Sequence, residues 1–154
     1  MLLALLIAAT PWVEMSGGPV FGRGSNGPMA RIEVGLPAAD RFAFEGWMSG
    51  YLSGTRGAPG DVAVMAVGGG ARLLMVQLSA QTGLWAHAGG GWAPYVGYGG
   101  RGGPTGFAGA LFAFQPLMKR FSLGVEADAY VFSNVFGAGN SVALAVLPYL
   151  RCSF

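Results

Sequence analysis

Residues 105–133, TGFAGALFAFQPLMKRFSLGVEADAYVFS, constrain the fold more than any other stretch. Two alternating apolar runs flank a short break at Pro116–Arg120, and the second run splits at period two. Phe121, Leu123, Val125, Ala127, Ala129 and Val131 fall on one face, with Ser122, Gly124, Glu126, Asp128, Tyr130 and Phe132 on the other. Side chains along a strand alternate between faces, so this strand has one wholly apolar side and one acidic, aromatic side. The apolar side needs a neighbour other than water. Together the two faces suit the wall of a closed barrel in a bilayer, where backbone groups are satisfied between strands.

Composition points the same way. Hydrophobic residues make up 53% of the 154-residue chain and charged residues 10%, against a usual charged share of about 25%. A soluble β-sandwich with so little charge would expose faces that are too apolar and too rich in glycine. The 28 glycines are spread without a three-residue period, which excludes collagen. After residue 10 no uninterrupted apolar run reaches the roughly 18 residues of a spanning helix. The formal net charge is +2, and the basic residues are dispersed apart from the pair Lys119-Arg120, so no footprint for nucleic acid is visible. Cys152 is the single cysteine, which rules out an intrachain disulfide and a cysteine-based metal site.

The chain divides into residues 1–11, a possible signal-peptide remnant or N-terminal segment, and a barrel over 12–154. MLLALLIAAT is apolar but lacks a basic start and a good cleavage pattern. Strands are expected at 29–36, 42–52, 62–78, 84–98, 107–115, 121–133 and 141–154, with a bulge in 62–78, where neither phase is wholly apolar. Pro94 and Pro148 lie inside two of these segments, and each removes a ladder donor. Short breaks at 37–41, 79–83 and 116–120 alternate with longer Gly-rich loops at 53–61, 99–106 and 134–140. Short periplasmic turns and longer outer loops have that arrangement, and parity then demands an earlier strand, for which 12–23 is the only candidate. The expected fold is all-β: an eight-stranded antiparallel up-and-down transmembrane β-barrel.

The inward phase collects Arg31, Glu33, Glu45, Arg72, Glu126, Asp128 and Arg151. In a narrow eight-stranded lumen side chains fill the interior, so these residues form a paired polar network in preference to an ion path. Inward glycines at 89, 91, 97 and 124 make room for large side chains and close the lumen. His87, the single histidine, reads as a hydrogen-bonded lumen residue. A His87–Ser79 or His87–Ser122 pair has no third orienting residue, so no catalytic residue is assigned. No metal site and no cofactor are expected, since the Gly-rich stretches contain no phosphate loop.

The last segment, VALAVLPYLRCSF, places Val142, Leu144, Val146, Leu150 and Phe154 outward and ends on an aromatic residue. It resembles the C-terminal assembly signal of outer-membrane barrels, carried here by Leu150 and Phe154. PLMKR followed by FSLGVEA likewise resembles the inner-side hairpin of the small bacterial outer-membrane β-barrel domain family, over roughly residues 29–154. That resemblance implies residence in the outer membrane of a diderm bacterium, insertion by the barrel assembly machinery, and contact with outer-membrane lipid and lipopolysaccharide. Loops poor in charge and small outward residues (Gly46, Gly50, Ala86, Ala88, Gly90 and Gly109) favour a non-enzymatic subunit of a cell-envelope complex, packed against another envelope protein or a second copy. The alternatives are a narrow channel or transporter for a small solute, or a lipid-modifying enzyme using His87.

Overall fold

The computed structural model describes residues 10–22, 26–53, 62–79, 82–97, 102–118, 120–133 and 139–154. The reading of residues 1–11 as a targeting remnant falls mainly outside this set, as do most of the loop residues 53–61 and 134–140. The described residues form eight strands: β1 (Trp12–Gly22), β2 (Gly27–Ala39), β3 (Phe42–Ser53), β4 (Val62–Gln77), β5 (Thr82–Val96), β6 (Gly103–Met118), β7 (Phe121–Ser133) and β8 (Asn140–Ser153). Each pairs antiparallel with the next, and β1 pairs with β8, which closes the barrel. Closure removes both sheet edges, as lipid requires.

β1 is the strand with the weakest local pattern, because Ser16, Gly17, Gly18 and Pro19 interrupt it. Two neighbours hold it in place. Its residues pair with β2 from Trp12↔Gly35 to Val20↔Gly27, and with β8 from Trp12↔Ser153 to Gly22↔Ala143. The β1–β8 ladder runs in two segments, Trp12–Ser16 against Tyr149–Ser153 and Val20–Gly22 against Ala143–Ala145. Pro19 and Pro148 sit between the segments, where a missing N–H costs least. Pro94 is accommodated differently. Tyr95 pairs with Met65 and Trp92 with Val67, so Ala93-Pro94 lies in a bulge. The bulge also reverses the phase, so that Val96, expected on the outer wall, is buried inside.

The anticipated irregularity of β4 falls between Leu74 and Val76, where the register with β5 shifts and Met75 and Val76 both become exposed. β6 starts at Gly103, earlier than residue 107, and runs beyond 115 to Met118. Gly109 belongs to the inner face, not the outer one. It shares a phase with buried Phe107 and Leu111, and a Cβ there would collide with the Asp128 side chain and the Ala127 carbonyl.

The interior has two halves. Toward the longer loops, Val20, Met29, Tyr51, Val64, Phe132 and Ala143 belong to one apolar cluster. Toward the short turns, the inner face of the same strands carries the charged side chains. The outer wall is apolar: Met15, Val34, Leu36, Phe44, Val67 and Leu144 are among its exposed large residues. Lipid in place of water makes that exposure favourable. Because the inner face is packed to contact at Gly109, Gly109→Val should overpack it by at least about 1–3 kcal/mol. The expected outcome is a large loss of the heat-modifiable folded band on unboiled gels.

Candidate functional site

Alternation along seven strands, all but β6, projects acidic and basic side chains into one half of the lumen. Arg31 on β2 meets Glu33 at 2.9 Å, Asp128 at 2.9 Å, and also Glu126 and the Tyr130 hydroxyl. Arg72 on β4 donates from Nε to Glu45 at 3.0 Å, from Nη2 to Glu33 at 2.6 Å, and to Glu14 at 3.2 and 3.3 Å. Arg151 on β8 donates from Nε to Glu14 at 2.8 Å. His87 on β5 lies with Nε2 2.7 Å from Asp128 Oδ1 and Nδ1 3.6 Å from Glu45 Oε1.

Aromatic faces complete the enclosure. Both Arg72 and Arg151 lie over the Trp12 ring, with guanidinium carbons 4.5 and 4.4 Å from its centroid. Phe107 presents its face to Arg31 at 4.7 Å and contacts the His87 ring at 5.0 Å. Such contacts are worth most where water is excluded. Space for these groups comes from glycines on adjacent strands. A Cβ at Gly35 would strike Trp12, and one at Gly124 would strike Tyr149.

The register places Glu14 directly opposite Glu33, a repulsive pair that would not survive unaided in a low dielectric. Arg72 bridges both carboxylates. Each guanidinium likewise serves more than one element: Arg31 ties β2 to β7, Arg72 ties β4 to β1, β2 and β3, and Arg151 ties the closing strand to β1. The network therefore cross-braces the barrel through its interior, beyond the ladder that joins only neighbours.

The seven residues expected in the lumen, Arg31, Glu33, Glu45, Arg72, Glu126, Asp128 and Arg151, are all buried and share this one cluster. Glu14 was missed, although it accepts from two arginines. The parity that demands a strand at 12–23 also sets its phase, and Trp12, Glu14 and Ser16 would have followed from it. Leu150 and Phe154 lie exposed on the outer side of the last strand, where Leu150 pairs with Leu123 and Met15. The two ring nitrogens of His87 face carboxylates and no serine hydroxyl, an arrangement without a nucleophile. At the short-turn mouth a recess of about 320 Å³ reaches Arg72 and Arg151 past Trp12, Asp40 and Trp85.

An apolar outer wall, a closed ladder and a charged, filled lumen define a small eight-stranded transmembrane β-barrel. Solved structures agree on that fold. The crystal structure of Neisserial surface protein A superposes with a TM-score of 0.72 at 15% identity, over 94% of this chain and 97% of that one. The crystal structure of Ail, the attachment invasion locus protein of Yersinia pestis, gives 0.55 at 14% identity over 95% and 97% of the two chains. Ail in a phospholipid bilayer nanodisc also gives 0.55 at 14% identity, over 93% and 99%. No protein-family model matches the chain. No curated protein matches it either.

Removing one partner from a buried network leaves uncompensated charge behind, at a cost of about 3–5 kcal/mol. Arg31→Met, which strands Glu126 and Asp128, should destabilise the barrel by that amount. Urea unfolding in detergent micelles, followed by tryptophan fluorescence, measures it.

Proposed function

We propose that this protein is a non-enzymatic outer-membrane barrel that works through its outer wall, as a structural or binding subunit of a cell-envelope complex. The observation that carries this reading is a smooth patch of small residues in register across four strands. Gly46 pairs with Gly69, Gly69 with Gly90, and Gly90 with Gly106, all on the lipid side of β3 to β6. One level toward the short turns, Ala71, Ala88, Ala108 and Ala129 pair in the same manner from β4 to β7.

Glycine weakens a strand, and its usual excuse is crowding. Crowding explains Gly106, where a Cβ would lie 3.0 Å from the Gly89 carbonyl, and is slight at Gly69, but it is absent at Gly46 and Gly90. A Cβ at Gly46 would meet nothing within 4 Å, and one at Gly90 would meet only the Thr105 carbonyl at 3.9 Å. The requirement is therefore external. A second wall can approach such a surface to backbone distance, and van der Waals contact is what drives association in lipid. Large residues, Met48, Val67 and Trp92, border the patch in the next row.

The filled lumen supports this reading over a channel. An apolar cluster occupies the half nearest the loops, where a conducting path would need water. Lipid and lipopolysaccharide would then be the surrounding solvent, the barrel assembly machinery the insertion route, and another envelope protein or a second copy the lasting partner. Extraction in mild detergent should give an oligomer or a complex, and Gly90→Phe should disrupt it while leaving heat-modifiability intact. A strictly monomeric wild-type particle would overturn the proposal. Planar-bilayer recordings should show no conductance steps; steps that respond to Glu45, Arg72 or Glu126 substitution would favour the channel.

A further inference from the structure

Glu33, Glu45 and His87 come from β2, β3 and β5, and no spacing in the sequence links them. Donor atoms of the three lie within 4.8 Å of one another. Glu33 Oε1, Glu45 Oε1 and His87 Nδ1 are each buried without a hydrogen-bond partner. Arg31 Nε is 2.9 Å from Glu33 Oε1 but does not aim its hydrogen at it, and the 3.6 Å from Glu45 Oε1 to His87 Nδ1 is beyond hydrogen-bond reach. Orphaned buried polar atoms are rare and require an explanation.

Neighbouring groups fix how these side chains are turned. Arg72 binds Oε2 of both Glu33 and Glu45, which turns each carboxylate so that Oε1 remains for another partner. Asp128 meets His87 Nε2 at 2.7 Å, while its other oxygen accepts from Arg31. In the tautomer that donates from Nε2 to Asp128, the Nδ1 lone pair would be left for a ligand. A carboxylate behind a histidine is the outer-shell arrangement that fixes metal-ligating imidazoles.

A water molecule has two hydrogens to offer three neighbouring acceptors, whereas one cation can meet all three. Two carboxylates with one imidazole suit a borderline ion such as zinc, with a fourth position for water. Arginines touch every acidic grouping of the lumen, Glu33 and Glu45 included, but only in this group does each of the three side chains keep one atom without a hydrogen bond.

We infer that Glu33, Glu45 and His87 form a site for one divalent transition-metal ion inside the barrel, cross-linking β2, β3 and β5. The recess that reaches Arg72 from the short-turn mouth is the side from which an ion would enter.

The test is to unfold the full chain in denaturant with a chelator and remove the chelator. The chain is then refolded into detergent with zinc sulfate, desalted, and assayed for bound metal by plasma mass spectrometry. One zinc per heat-modifiable barrel is expected, with retention lost in His87→Ala and Glu45→Gln. Asp128→Asn should weaken affinity by about 10–100-fold. Wild-type barrel that retains no zinc overturns the inference and leaves protons or water to satisfy the cluster. Equal retention by folded His87→Ala and wild type overturns it as well. Should the variants fail to fold, X-ray absorption of cobalt-loaded wild type decides: an imidazole nitrogen with carboxylate oxygens supports the site, and their absence refutes it.

Discussion

Charge kept out of both water and lipid is the interaction on which this barrel depends. Arg31, Arg72 and Arg151 gather five carboxyl groups into the half of the lumen near the short turns. Each pair would be a poor bargain alone, since desolvating two ions can cost more than their attraction returns. Linked together, and bordered by the faces of Trp12 and Phe107, they become a braced interior in which one guanidinium serves several carboxylates. A lipid-facing wall cannot supply a hydrophobic driving force of its own. The lumen must therefore contribute what a soluble protein obtains from its apolar core.

The two halves of the interior divide this task. Stacked Tyr51, Phe132 and Tyr130 belong to the apolar cluster toward the loops, and the ions lie beneath it. Glycines set against large side chains let both halves fill within an eight-stranded circumference. Gly46, Gly50 and Gly90 on the outer face have no such internal duty, which is why they direct attention to what packs against the wall. Inside and outside, the same residue type answers two different steric demands.

Much of this was legible in the alternation of the chain. Lipid outside and a filled lumen inside impose a period of two on every strand, so the sorting of Glu126 and Asp128 from Val125 and Ala127 could be read directly. Parity of short and long breaks supplied β1 where local pattern was poor. Legibility failed where the period was broken by something nonlocal. Val96 turned inward because a bulge at Pro94 reset the phase, and Gly109 turned inward because glycine carries no side chain to declare its face.

Sequence by itself determined the class: an apolar alternate face, too little charge for a water-facing sheet and no spanning helix leave a barrel in lipid. It also determined which charged residues face inward, because strand phase is a local property. Only the tertiary structure decided their partners. Closure of β8 on β1 sets Glu14 opposite Arg151, 137 residues away, and the lumen brings Arg31 to Asp128, 97 residues away. The same lumen brings Glu33 and Glu45 to His87. Pairing across a lumen depends on stagger and closure, and those are set by all eight strands together rather than by any one of them.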